Sequence, residues 1–143
     1  NDFLTWGGFE WGYTGARDSV YTNVSGIPEG SKCFRSWGND YSGWGVFSTN
    51  GTVNLAQWSN GTIQFSVKST QLLKMELEGP QGTKGTYFTN LPSTGNAWSN
   101  FSIKVTNFTA GGVQLTNMFG LFMTTSPGGV GTTNYIDNIR WVK

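Results

Sequence analysis

Polar and apolar residues alternate one for one through Thr62-Ile63-Gln64-Phe65-Ser66-Val67-Lys68. A period of two sends successive side chains to opposite sides of an extended chain. Ile63, Phe65 and Val67 then face a core, and Gln64, Ser66 and Lys68 face out. The same spacing recurs in Leu73-Lys74-Met75-Glu76-Leu77-Glu78 and in Phe101-Ser102-Ile103-Lys104-Val105. Phe119, Leu121 and Met123 share one face of a further run, and Tyr135, Asp137, Ile139 and Trp141 share one face of the last. No helical i, i+3, i+4 stripe lasts beyond about two turns.

Turn chemistry divides these runs. Asn50-Gly51 and Asn60-Gly61 are hairpin-type dipeptides. Gly79-Pro80, Pro92-Ser93-Thr94-Gly95 and Pro127-Gly128-Gly129 are further breaks. Strands of about six residues between such turns predict an all-β fold, a two-sheet antiparallel sandwich. With no linker and no internal repeat, residues 1–143 read as one domain.

Composition narrows the function. Nine basic and eight acidic residues give a net charge of +1, too little for a nucleic-acid backbone binder or a polybasic membrane anchor. Histidine is absent, which removes Ser-His-Asp and Cys-His nucleophile systems and His-ligated zinc. Cys33 is the single cysteine, so it has no intrachain disulfide partner and reads as a small core residue. No apolar stretch approaches the ~20 residues of a spanning helix. Abundant Gly, Ser, Thr and Asn with low charge and seven tryptophans suits a secreted, extracellular monomer. N-x-S/T triplets at Asn23, Asn50, Asn60, Asn100 and Asn107 follow from that composition.

The segment Ser36-Trp37-Gly38-Asn39-Asp40-Tyr41-Ser42-Gly43-Trp44-Gly45 sets three large aromatics among glycines and short polar residues. A core strand carries Val, Ile and Leu instead. Glycine neighbours leave ring faces uncovered, and the axial C–H face of a pyranose matches a flat π surface, as bases match aromatic platforms elsewhere. Trp37, Tyr41 and Trp44 are thus candidate sugar platforms. Asn39 and Asp40 are candidates to read sugar hydroxyls. Trp11, in a second aromatic cluster with Trp6 and Tyr13, is a candidate extension. Two or three platforms with hydrogen bonds give roughly −4 to −8 kcal/mol, millimolar to micromolar affinity.

Five motifs, in order, resemble one group of proteins. They are Phe9-Glu10, Gly30-Ser31-Lys32-Cys33-Phe34, Asn54-Leu55-Ala56-Gln57-Trp58-Ser59 with the strand after it, Ala97-Trp98 before Phe101, and the closing Tyr135-Ile136-Asp137-Asn138-Ile139-Arg140-Trp141. Together the pattern is similar to the β-jelly-roll carbohydrate-binding modules that target plant cell-wall-degrading enzymes to β-glucans. The resemblance implies a jelly roll and a structural calcium, Ca2+, between N-terminal and C-terminal strands. By position Glu10 and Asp137 would supply carboxylates and Lys32 a backbone carbonyl. Trp58 and Trp98 match positions that are structural in such modules.

The expected function is non-catalytic binding of a neutral plant polysaccharide, foremost a β-1,4- or mixed-linkage glucan such as cellulose, on behalf of an attached glycoside hydrolase. Two alternatives belong to other classes. Glu76 and Glu78, at i and i+2, would face one side of a strand, near the roughly 5–9.5 Å carboxyl separations that a small β-sandwich glycoside hydrolase would use. A lectin-like surface adhesion domain would instead read terminal sugars.

Overall fold

The computed structural model describes the backbone of residues 6–12, 17–22, 24–38, 42–79, 84–126 and 132–143. Within those spans the side chains of 6–12, 17–22, 37, 38, 42, 84–88 and 132 are not described.

Ten strands run through the described residues. They are β1 (Trp6–Gly12), β2 (Arg17–Thr22), β3 (Cys33–Gly38), β4 (Ser42–Ser48), β5 (Thr62–Ser69), β6 (Leu73–Glu78), β7 (Lys84–Leu91), β8 (Ser99–Lys104), β9 (Gly120–Ser126) and β10 (Thr132–Val142). They form two five-stranded sheets, ordered β1-β4-β9-β6-β7 and β2-β3-β10-β5-β8. Every strand pairing is antiparallel. We call the first the front sheet and the second the back sheet. This is the sandwich that the alternating runs predict.

The period-two logic holds within strands. In β6 Leu73, Met75 and Leu77 are buried, while Lys74, Glu76 and Glu78 are half-buried on the other side. In β5 Ile63, Phe65 and Val67 join the core. Aromatic rings occupy the centre between the sheets. Phe34 lies 4.4 Å from Trp44, and the Phe65 ring meets Phe122 edge-on at 4.8 Å.

Two irregularities shift the alternation. In β10 the pairing with β5 slips between Asp137 and Arg140, and Asn138 adopts φ 56°. The bulge inserts one residue and reverses the phase of the strand beyond it. Ile136 is in the core, and past the bulge Ile139 and Trp141 pack against the core as well. Tyr135 and Asp137 therefore do not share a face with Ile139 and Trp141. The Trp141 Nε1–H donates to the Leu121 carbonyl at 3.2 Å, which bridges the two sheets. In β9 a register shift beside Leu121 separates it from Met123. Leu121 belongs to the core cluster, whereas Met123, though 2% exposed, lies outside it.

One short helix, α1 (Val105–Ala110), continues directly from β8, where the alternation alone suggests a strand through Val105. It buries Val105 and Phe108 against the end of the core. Gly61, which opens β5, has no room for a side chain: a Cβ there would stand 2.0 Å from the Val142 carbonyl oxygen.

Candidate functional site

The side of the front sheet that faces away from the core carries the most distinctive chemistry. Strand register sets residues in rows across it. One row is Trp11, Gly43, Thr125, Lys74 and Asn90. The next is Phe9, Gly45, Met123, Glu76 and Phe88, and the third is Gly7, Phe47, Gly120, Glu78 and Lys84. Residues within a row stand about 5 Å apart from strand to strand. A continuous face thus mixes aromatic, acidic, hydroxyl and glycine positions.

Phe47 and Phe119 make a ring pair on this side, centroids 5.4 Å apart and tilted by 31°. Both are half-buried, and neither packs into the core cluster. Glu78 is held close by: its carbonyl accepts the Phe119 N–H at 3.0 Å. Gly120 lets β6 and β9 approach there, since a Cβ would lie 2.8 Å from the Glu78 Cβ and 3.0 Å from the Met123 sulfur. Thr125 is 1% exposed, and its Oγ1 has no hydrogen-bond partner. A buried hydroxyl without a partner is costly, and at that exposure it is closed to a ligand from outside.

The sequence-predicted platform does not assemble as one surface. Trp44 is 1% exposed and sits in the core against Phe34 and Phe122, so it cannot stack on a ligand; the expectation for this residue is corrected. The reason is parity. Gly43 and Gly45 occupy the outward positions of β4, which sends Trp44 between them inward. The glycines stand on the outer side, where both are themselves buried. Trp37 lies in β3 of the back sheet, so the fold sends Trp37 and Trp44 to different sheets. Asn39, Asp40 and Tyr41 lie outside the described residues, as does Tyr13. Trp11 lies in β1, in the row of Thr125 and Lys74. Phe47 and Phe119 escaped the sequence reading. The signal was the same parity, since Gly43, Gly45 and Phe47 fall at i, i+2 and i+4.

The other aromatics have structural settings. Trp58 is half-buried against the core with the Lys143 ammonium 5.5 Å from its ring centroid. Trp98 is half-buried, near Gly26. Tyr135 is half-buried on the outer side of the back sheet. Cys33 is fully buried, and burial first, then the Asp137 charge, pushes its thiol pKa up.

Of the implied calcium donors, Asp137 is the best defined. Its Oδ2 accepts the Glu29 N–H at 3.0 Å, and Arg140 pairs with the Glu29 carboxylate at 2.7 Å. These contacts tie the segment that leads to Lys32 against β10. The next residue, Asn138, has a buried Oδ1 without a partner. An acceptor-only carboxylate beside an orphaned carbonyl oxygen fits a hard cation in donor type. Glu10 lies in β1, opposite Trp44. Among the described residues no three His, Cys, Asp or Glu side chains form a metal-binding group, so carbonyls and water would have to complete a shell.

No family model matches the sequence, and no curated protein matches it. Solved structures do match the fold. The chain is similar to the family 30 carbohydrate-binding module of the cellulosomal cellulase Cel9D-Cel44B of Clostridium thermocellum, with TM-score 0.66 and 13% identity over 92% of this chain and 88% of that one. It is also similar to the family 11 module of the cellulosomal cellulase Lic26A-Cel5E of the same organism, with TM-score 0.60 and 16% identity over 95% and 86%. A third is a mutant of CBM29-2, a family 29 module, complexed with mannohexaose, with TM-score 0.59 and 12% identity over 94% and 78%. The chain has the jelly-roll fold of these modules.

Proposed function

We propose that the outer face of the front sheet binds a neutral plant polysaccharide, foremost a β-1,4- or mixed-linkage glucan, without cleaving it. The observation that carries this reading is the Phe47–Phe119 ring pair, held outside the core in the row of Glu78 and one row from Glu76. Ring faces there seat the apolar side of a sugar, and each fully buried aromatic contributes roughly 1.5–3 kcal/mol at most. Carboxylates accept from vicinal hydroxyls, which are donors a neutral glycan offers in pairs. The module holds its chain near an attached glycoside hydrolase and so raises the local substrate concentration. That role belongs to a secreted, extracellular enzyme.

Glu76 and Glu78 share this face, which keeps the hydrolase reading in view. Glycosidases need carboxyl groups that flank the scissile bond. Two residues at i and i+2 of one strand approach a ligand from the same side, an arrangement suited to holding hydroxyls. Calcium would be held by Asp137, Glu10 and the Lys32 carbonyl. When bound it supplies charge neutralisation and cross-linking, with no part in sugar contact.

Affinity gel electrophoresis against mixed-linkage glucan, hydroxyethylcellulose, xyloglucan, xylan, laminarin and glucomannan tests the reading. Glucomannan is included because the family 29 structure holds mannohexaose. Retardation by at least one glucan is expected, with loss of about tenfold or more in affinity for Phe47→Ala and for Trp11→Ala at unchanged melting temperature. Undiminished retardation in both variants overturns the site. Reducing-sugar release that disappears in Glu76→Gln or Glu78→Gln overturns the non-catalytic reading.

A further inference from the structure

The net charge of +1 conceals a segregated distribution. The back-sheet strands carry Arg17, Arg35, Lys68, Lys104 and Arg140 against Asp18 and Asp137. The front-sheet strands carry Lys74 and Lys84 against Glu10, Glu76 and Glu78. The cationic excess of the back sheet has a centre. Arg35, Tyr135 and Lys68 form one cross-strand row over β3, β10 and β5, and all three are half-buried on the side away from the core. Their core-side neighbours Phe34, Ile136 and Val67 fix that orientation. The Lys68 ammonium stands 5.6 Å from the Tyr135 ring centroid. Arg35 and Lys68 are two strand spacings apart, about 10 Å, with the phenol between them. The adjoining row is Asp18, Trp37 and Thr133 across β2, β3 and β10. On the other flank Asp137 is engaged by the Glu29 N–H.

We infer that the Arg35–Tyr135–Lys68 row is a second saccharide site, one that selects a uronic acid unit in a polysaccharide chain. Lys68 stands over one face of the Tyr135 ring, and the pyranose takes the other. A hexuronate carries its charge on the exocyclic carbon, beyond the ring edge, where a flanking cation meets it. The ring contact engages the Lys68 charge but leaves its N–H groups able to donate. Plain anion attraction needs no aromatic, and a neutral sugar needs no cations, so the combination points to a sugar acid. This site is independent of the front-sheet face and of the neutral glucan assigned to it.

The test is titration of the whole module with glucuronic-acid-substituted xylan and with the same polymer after carboxyl reduction, at low and moderate salt. Binding to the substituted xylan is expected, weakened about tenfold by carboxyl reduction or by Lys68→Ala, in keeping with loss of a charged hydrogen bond. Lys68→Arg is expected to retain most of it, and affinity is expected to fall as salt rises. Equal affinity for native and reduced polymer, an undiminished Lys68→Ala variant, or no binding to the substituted xylan overturns the inference. Neutral-glucan retardation measured on the same samples separates failure of this site from failure of the front-sheet reading.

Discussion

The Phe34 ring lies 4.4 Å from the Trp44 indole and is tilted 33° to it, which joins β3 of the back sheet to β4 of the front sheet through the middle of the core. The pair sits where the two sheets must be held together, and the chemistry at Trp44 is packing. Trp44→Ala is therefore expected to cost about 3–5 kcal/mol, the range for emptying a buried aromatic site. Trp44→Phe keeps a ring there, so it is expected to lose less stability and still retard in a glucan gel. Urea denaturation of both variants beside the gel assay checks this. A Trp44→Phe protein that is stable but no longer binds would return the residue to the ligand site.

A buried polar knot fastens the end of β5 to β10. The Ser69 hydroxyl lies 2.6 Å from Asn134 Oδ1, and the Ser69 N–H donates to Thr94 Oγ1 at 2.9 Å. Both Ser69 and Asn134 are buried. Ser69→Ala leaves the Asn134 amide oxygen without this donor in a site closed to water, so a loss of about 1–3 kcal/mol is expected. The double variant Ser69→Ala/Asn134→Leu removes this pair, while the Gln71 N–H, which donates to Ser69 Oγ at 3.0 Å, loses its acceptor in both variants. It is expected to recover part of that loss, and a double-mutant cycle on unfolding midpoints measures the coupling.

Asp137 ties the segment before β3 to the last strand through the Glu29 N–H, and the calcium proposed at this carboxylate would add a second tie. Millimolar calcium is then expected to raise the unfolding midpoint by about 5 °C or more over chelator-treated protein. Asp137→Asn is expected to abolish that response. A midpoint indifferent to calcium and chelator, or a response that survives Asp137→Asn, removes the ion from this site. Differential scanning calorimetry gives the readout without any glycan.

Local alternation made β5 and β6 readable, because each buries one face over six or more residues while the other stays half-buried, Ser66 of β5 excepted. It failed at β10, where a single inserted residue at Asn138 reverses the phase, and an αL asparagine leaves no mark in a polar-apolar pattern. The candidate platform failed for a different reason. Residues 36–45 look contiguous in sequence, yet β3 and β4 enter opposite sheets. Which sheet a strand joins is set by distant partners, as when Trp44 pairs with Thr124. Phe119 meets Phe47 through that same long-range pairing, so their ring contact had no local signature. Glycine parity around Trp44 was the one clue within reach.

Cys33 offers a test that depends on pH. Burial first, and the Asp137 carboxylate second, raise the thiol pKa above its value in the unfolded chain, while its backbone hydrogen bond and Lys68 pull the other way. The folded state thus holds the proton more tightly than the unfolded state. This contribution to stability is fully present below the unfolded thiol pKa, ordinarily about 8.5, and is lost as pH rises through the higher folded value. The urea midpoint of the native sequence is expected to fall more steeply above that pH than the midpoint of Cys33→Ala. Asp137→Asn removes one of the two raising causes, so it is expected to make the alkaline fall shallower. Thiol reaction with a disulfide reagent at about pH 8 is expected to be roughly tenfold or more slower in folded than in unfolded protein. Equal rates in the two states would mean that Cys33 is open to solvent, which is incompatible with its complete burial at the start of β3.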